Sequence, residues 1–403
     1  MKLASTALTG LLFSSIANQG LAGTPEMLTS TETNTIEIAG HPVPVVKGGL
    51  YDRYRSNPPL SVIAAELPGV DLSWFKGLEK HKVDIGFESY SPNFYYQNSR
   101  VTAVYTADLD ALRALMPPEV LATASPLQVW PGRGLVAFTA YTYEHCDNDA
   151  YNEVAVSIIT NTPGKANLGP FTLIGQSMSG DFWGYVLKLP VNTELARVRG
   201  VVGYNLPKWL TGIDRKEDAH SVVYDITDSQ TGKVDVSFKA KKLDKLSREV
   251  DIVTSSFTNL DHQGHLAYGY AVSRQLRHGS SRDADSATLT LGDGSLSNYL
   301  RTLKLGKMMK YEYVPEFQSA LYAPKPLAGL IGERRDLLRL SGPGSLAGVF
   351  SCGRRYRTLA GRLANPFFTQ TIYQHLRIVR ARHAFGLTLD AFDDEQKLRF
   401  VLC

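Results

Sequence analysis

From residue 99 onward, apolar and polar positions alternate with the period of two that marks strands half-buried in a sheet. The alternation predicts strands over 100–106, 134–144, 152–160, 182–189, 250–257, 265–272, 287–291 and 309–314. It also predicts a hairpin of 221–228 with 233–239 across Ser229-Gln230-Thr231-Gly232. One interruption has helical spacing. Over 107–116, Leu109, Leu112 and Leu115 share a face, Asp108 and Asp110 suit the first turn, and Met116-Pro117-Pro118 ends it. Successive strands with short turns and few helices predict a mainly β (α+β) chain whose antiparallel sheet closes into a barrel or cone over 95–325. Residues 23–94, punctuated by Lys47-Gly48-Gly49 and Asn57-Pro58-Pro59, read as an arm packed on that body, with one short helix near 73–78. After Ser341-Gly342-Pro343-Gly344, the positions Phe368, Ile372, Leu376 and Val379 fall at helical spacing, so 326–403 reads as a helical extension.

Composition narrows this picture. The chain has 403 residues, 43% hydrophobic and 20% charged, which excludes a disordered polypeptide. Three cysteines exclude a disulfide-dense scaffold; Cys146, Cys352 and Cys403 allow one bridge and one free thiol in three pairings. A net charge of +4 gives no reason to expect a nucleic-acid partner. The helical extension is Arg-rich, with Arg334, Arg335, Arg354, Arg355 and Arg357 among others. Without an uninterrupted basic block, this reads as a solvated face on helices capping the barrel rather than as a surface for anionic membrane or acidic partners.

At the start, Met1-Lys2 is followed by an apolar run to Ile16 and by small residues at Ser15-Ile16-Ala17 and Gly20-Leu21-Ala22. That layout predicts a secretory signal over 1–22 and a destination in the secretory pathway, extracellular or vacuolar. The run is too short to span a bilayer comfortably, and no later segment serves as a transmembrane span. No Asn-x-Ser/Thr sequon occurs.

Common catalytic signatures are missing. There is no Walker loop, no dinucleotide fingerprint and no zincin motif, and Gly175-Gln176-Ser177-Met178-Ser179-Gly180 has the wrong spacing for a nucleophile elbow. Asp261-His262-Gln263-Gly264-His265 offers two imidazoles and a carboxylate but no third spaced ligand, and reads as a turn between strands, so no metal is expected.

Four ordered pieces carry a resemblance. They are Val104-Tyr105-Thr106-Ala107-Asp108-Leu109-Asp110-Ala111-Leu112-Arg113 with its exit Met116-Pro117-Pro118-Glu119; Tyr151-Asn152-Glu153-Val154; Gly180-Asp181-Phe182; and Arg199-Gly200-Val201-Val202-Gly203-Tyr204-Asn205-Leu206-Pro207-Lys208. Together they resemble the acetoacetate decarboxylase superfamily over roughly 95–320, with a strand–helix opening, a Tyr-x-Glu strand, a Gly-Asp-Tyr strand start and an Arg-Glu-x-x-Gly-Tyr-Pro-Lys segment. The resemblance implies an antiparallel barrel or cone with Lys208 deep in its mouth, forming a Schiff base with a substrate ketone. It implies Glu153 as the carboxylate that orients substrate and moves protons. For the arginine that holds the substrate carboxylate, the ungapped match falls on Asn98; Arg100, two residues on and on the same face, is carried over as that residue and as the partner of Glu153.

The chain departs from the pattern in three places. Trp209 stands where a second lysine follows the first, Gly200 replaces a glutamate, and Asn205-Leu206 are extra. An amine attacks a carbonyl only when neutral, and a lysine is made reactive by desolvation or by a cationic neighbour, as acetoacetate decarboxylase itself illustrates. With no second lysine, desolvation is left, and Trp209, Trp183 and Tyr204, with Tyr151 beside Glu153, are the expected walls. The implied activity is a cofactor-free Schiff-base lyase, a decarboxylase or a relative, acting on a small keto acid or polyketide-derived ketone. A secreted member with these departures suits a tailoring step in secondary-metabolite biosynthesis, and homo-oligomerisation is left open. Two alternatives stand beside it: a barrel that binds a small ligand without turning it over, and an isomerase or hydratase using Glu153 as base.

Overall fold

The computed structural model describes residues 32–330. The expected signal over 1–22, the Arg-rich extension beyond 330, and Cys352 and Cys403 lie outside the described residues. The arm begins with a hairpin of β1 (Thr33–Ile38) and β2 (His41–Val46), followed by α1 (Leu50–Tyr54), α2 (Leu60–Glu66), α3 (Ser73–Lys76) and a second hairpin of β3 (His81–Asp84) and β4 (Glu88–Ser91). Next come β5 (Asn93–Asp108), α4 (Leu109–Ala114), α5 (Pro118–Thr123), β6 (Arg133–Cys146), β7 (Tyr151–Thr160), α6 (Pro170–Ser179), β8 (Asp181–Val191), α7 (Glu194–Tyr204) and the short β9 (Lys208–Leu210). The chain continues through β10 (Ile213–Glu217), β11 (Ser221–Thr227), β12 (Val234–Lys241), β13 (Asp251–Leu260), β14 (Leu266–Ser281), β15 (Ala287–Leu291), α8 (Ser295–Thr302) and β16 (Met308–Pro326).

Seven strands in the order β13-β14-β16-β5-β6-β7-β8 form one sheet, and β8 pairs back onto β13 to close it into a barrel. The ladder is antiparallel except at that closing seam and where β9 joins β8, both of which are parallel. The mainly β closed sheet expected from alternation is therefore what the chain forms. A second, four-stranded sheet, β10-β11-β12-β15, includes the expected hairpin β11–β12.

The largest core lies between this sheet and one wall of the barrel. Val101, Phe138, Val154 and Val156 from the wall meet Val222, Ile226 and Phe238 from the sheet. Each such side chain, fully buried, contributes about 1.5–3 kcal/mol. Strand alternation then decides what faces the other way. In β7, Val154, Val156 and Ile158 pack into this core, so Tyr151 and Glu153 stand on the opposite face of the wall.

Local chemistry sets the helix ends. The Asp108 carboxylate accepts the Ala111 N–H at 2.9 Å, ending β5 and starting α4 two residues later than the spacing suggested. The Pro117-Pro118 pair stops α4 and also opens α5, because the fixed φ of proline suits a first helical turn.

The arm is latched to the barrel by a buried ion pair. Lys80 Nζ lies 2.6 Å from Asp147 Oδ2, with side chains 9% and 0% exposed. Asp147 also accepts the Phe94 N–H at 2.6 Å and the Tyr96 hydroxyl at 2.7 Å. Burial pushes the Asp147 carboxyl up and the Lys80 ammonium down, so each ion needs the other. Around the pair, Ile63, Leu72 and Phe75 of the arm pack with Phe94 and Tyr96. Lys80→Met should strand Asp147 in the core and lower stability by about 3 kcal/mol, read as an earlier urea midpoint. An unchanged midpoint would show that the pair latches nothing.

Candidate active site

The seam places the lysine. β8 pairs with β13 over four positions only, from Asp181 opposite Thr254 to Gly184 opposite Phe257. Gly184 is required there, because a Cβ would stand 2.8 Å from the Ile158 carbonyl oxygen. The strands then part, and the last three residues of β8 pair with β9 instead, with Leu189 opposite Lys208. Between the parted strands is an opening of about 280 Å³, bordered by Tyr185, Phe257, Tyr299 and Leu206 among others.

The segment entering β9 is fixed from both sides. α7 ends at Asn205 in the left-handed region (φ 48°), and the Leu206 N–H returns to the Gly200 carbonyl at 3.1 Å. Asn259 Nδ2 donates to the Tyr204 carbonyl at 2.7 Å. The two residues that are extra to the motif, Asn205 and Leu206, thus make the turn that aims Lys208. A Cβ on Gly200 would fall 2.3 Å from Lys208 Cδ, so the missing side chain is the groove in which the lysine stem lies.

Lys208 Nζ lies 2.6 Å from Glu153 Oε2, with side chains 9% and 10% exposed. The Tyr143 hydroxyl reaches Glu153 Oε1 at 3.4 Å, and the Tyr95 and Tyr151 hydroxyls are 3.2 Å apart. Burial pushes the Tyr95, Tyr143 and Tyr151 phenols well up and Tyr204 up to about 12, so these rings stay neutral. A cavity of about 30 Å³ adjoins Lys208, with Tyr95, Tyr151, Tyr204, Asn93 and Arg199 in its wall. Of the side chains expected from the sequence, the structure brings Lys208, Glu153, Tyr151 and Tyr204 together.

Three expected residues lie elsewhere. Arg100 shares the inner row of Tyr141 and Glu153 by register, but its guanidinium donates to Glu312 Oε2 at 3.1 Å and Thr102 Oγ1 at 2.9 Å. Lys208, and not Arg100, is the partner of Glu153. Burial pushes the Glu312 carboxyl up, but Arg100 and Lys310 outweigh it and hold it down at about 2. Trp183 sits at the seam end of β8, its ring 6.0 Å from Tyr268. Trp209 follows Lys208 in a strand, so it turns to the opposite face and packs against the core under the four-stranded sheet. Asn98, the ungapped match for a carboxylate-binding arginine, donates to the Phe317 carbonyl at 3.0 Å.

Arg199, Asn93, Tyr95 and Tyr143 were not anticipated. Arg199 stood inside the matched segment, but its place on the buried side of α7 is visible only in three dimensions. The 261–265 segment is a turn: Asp261 accepts the N–H groups of Gln263 at 2.9 Å and His265 at 2.8 Å. Among the described residues, no group of three or more His, Cys, Asp or Glu could hold a metal ion, and no helix is long and apolar enough to cross a membrane.

No family model matches the chain, and no curated protein matches it. Solved structures do. The chain is similar to an acetoacetate decarboxylase from Legionella pneumophila at 11% identity and TM-score 0.42, over 58% of this chain and 86% of that one. It is similar to the enduracididine biosynthesis enzyme MppR at 14% identity and TM-score 0.42, over 59% and 88%. It is also similar to an acetoacetate decarboxylase-like enzyme from Sphingomonas wittichii at 13% identity and TM-score 0.34, over 57% and 90%. These are likenesses of architecture.

The Arg100–Glu312 pair carries a pH dependence. A carboxyl held at about 2, below the usual 4.5, stabilises the fold above pH 4.5 and loses that contribution as the pH falls toward 2. Arg100→Met should therefore move acid unfolding to higher pH, followed by circular dichroism. An unmoved acid transition would mean that Arg100 does not hold the carboxyl down.

Proposed function

We propose that the protein is a cofactor-free Schiff-base lyase acting on a small keto acid or ketone. The observation that carries this is the buried Lys208–Glu153 contact of 2.6 Å beside a cavity. The proton that Lys208 must lose before attack has an acceptor already in hydrogen-bond contact. The neutral amine adds to the carbonyl carbon. The carbinolamine then loses its oxygen as water, with a proton returned from Glu153, leaving an iminium on Lys208. That iminium withdraws electrons from the neighbouring carbons and serves decarboxylation, aldol cleavage or dehydration alike.

The cavity, about 30 Å³, limits the reacting end to a few heavy atoms. The apolar start at Met1–Ala22 and the departures at Gly200, Asn205-Leu206 and Trp209 support a secreted or vacuolar tailoring role in secondary metabolism.

Borohydride added with pyruvate or acetoacetate should leave a stable mass increment on the Lys208 peptide, and Lys208→Met should abolish it. Glu153→Gln should slow trapping by about a hundredfold or more, the range for loss of a general base. Gly200→Val, which fills the groove under the lysine stem, should slow it comparably while unfolding stays cooperative. A wild-type mass unchanged with every carbonyl would leave a ligand-binding barrel. Activity that survives Lys208→Met but not Glu153→Gln would leave an isomerase or hydratase.

A further inference from the structure

The opening between the parted strands has a chemistry of its own. Its volume of about 280 Å³ is near the lower end for small-molecule pockets and suits a molecule of one or two rings. Three rings stand in its wall: Tyr185 from β8, Phe257 from β13 and Tyr299 from α8. The Phe257 ring lies against Gly269 of β14, where a Cβ would fall 2.4 Å from its Cζ, so this part of the wall is seated in place. Burial raises the Tyr185 phenol and raises Tyr299 to about 12, so both rings stay neutral. No residue lining the opening carries a charge, whereas Lys208 and Arg199 line the smaller cavity. Lys188, whose ammonium stands over the Tyr299 ring at 4.4 Å, lies outside the lining. One polar group in the wall is unanswered. Asn259 is 8% exposed, and its Nδ2 donates to the Tyr204 carbonyl at 2.7 Å and to the Asn205 carbonyl at 3.5 Å. Two carbonyls on that side fix which end of the amide is nitrogen. At the other end, Oδ1 has no hydrogen-bond partner. A buried acceptor without a donor is destabilising until an N–H or O–H reaches it.

We propose that the seam opening is a binding site for a neutral, flat aromatic molecule bearing a hydroxyl, which donates to Asn259 Oδ1 while the ring packs on Tyr185, Phe257 and Tyr299. Three arguments lead to it. Aromatic walls favour an aromatic occupant through offset and edge-to-face contacts, beyond the area that any apolar group would bury. A wall without charge gives an ionised occupant no partner, and burying an unpaired charge is costly. A ring without a donor would cover Oδ1 and leave it unanswered, so the hydroxyl is selected as well as the ring. The site owes its existence to this chain's own departures. It opens where β8 leaves β13, and its rim includes Asn205 and Leu206, the two residues extra to the motif. Leu206 also lines the cavity beside Lys208, so an occupant of the opening touches the turn that aims the lysine. Binding here needs no carbonyl and no amine, and it stands apart from the Schiff-base reading of Lys208.

The test uses the full chain and three probes with one ring system: β-naphthol, its methyl ether and the anion β-naphthoate. In equilibrium dialysis, β-naphthol should bind about tenfold more tightly than the ether, the scale of one hydrogen bond. It should bind at least about tenfold more tightly than β-naphthoate, which brings a charge to an uncharged wall. Leu115→Trp, which enlarges a lining side chain, should weaken β-naphthol by at least about tenfold while urea unfolding stays cooperative. Asn259→Leu should remove the preference for naphthol over ether. Asn259 also holds the Tyr204 carbonyl, so the comparison of the two probes on the wild-type chain decides the matter if that variant does not fold. Equal binding of naphthol and ether, naphthoate binding as tight as naphthol, naphthol binding unmoved by Leu115→Trp, or no binding of naphthol at millimolar concentration would each overturn the proposal. No probe carries a ketone, so a failed borohydride adduct on Lys208 leaves this site standing, and failed naphthol binding leaves the Schiff-base reading untouched.

Discussion

The divided pairing of β8 is the constraint from which the rest follows. A seven-stranded sheet closes here only because β8 meets β13, and it does so over its first four residues. Its last three residues pair with β9. One strand therefore performs two jobs at its two ends, and Lys208 stands where they separate. Moving β8 by one residue would turn its side chains to the opposite faces and move Leu189, with Lys208 beside it, off the present row. Closure of the barrel and placement of the amine are thus one structural event. The opening left by the split explains why a barrel this well filled retains space near Lys208. Leu206 is common to the linings of that opening and of the cavity beside the lysine.

Three buried or half-buried ion pairs tie separate parts of the chain: Lys80 to Asp147, Arg100 to Glu312 and Lys208 to Glu153. Taking two charges out of water is costly, and the cost is offset only when partners and hydrogen bonds are supplied together. Asp147 shows full supply, with an ammonium, an N–H and a hydroxyl all converging on it. Arg199 shows the opposite, a charge as deeply buried whose contacts are hydroxyls, one amide oxygen and two rings. Within one small region the same physical rule is satisfied completely at one cation and left incomplete at another.

Period-two alternation revealed the barrel strands because each carries one face toward a core, as Val154 and Val156 do. It did not reveal α7, where Leu195, Val198 and Val202 pack on the β1–β2 hairpin at helical spacing but the buried side also holds Arg199, Gly200 and Gly203, which break up the apolar pattern. The β1–β2 hairpin was hidden by Pro42 and Pro44. These occupy exposed positions of a two-stranded edge while Val43 and Val45 are buried, a placement that proline tolerates. Lys208 and Glu153 were legible through ordered motifs, but their contact was not. Arg100 was expected to pair with Glu153, but its partner, Glu312, arrives on β16 more than two hundred residues away, in a register that no local pattern encodes. Trp209 was expected beside the amine because no alternation announces the three-residue strand β9, in which consecutive residues face opposite ways.

The arm acquires a different meaning once the contacts of Arg199 are placed. Tyr51 comes from α1 and Ser89 from β4, so two of the hydrogen bonds that orient the guanidinium originate outside the barrel strands. Asn93, the first residue of β5, stands at the junction. The donor set facing the cavity is therefore assembled across the boundary between arm and barrel, while the amine and its carboxylate belong to β9 and β7. Asp147 and Asp149 sit in the one short turn that joins β6 to β7. The first holds Lys80 of the arm and the second the Tyr51 N–H at 3.2 Å, so the turn leading into the Glu153 strand also fixes the segment that orients Arg199. Arm docking and the placement of Arg199 then share the same short stretch of chain.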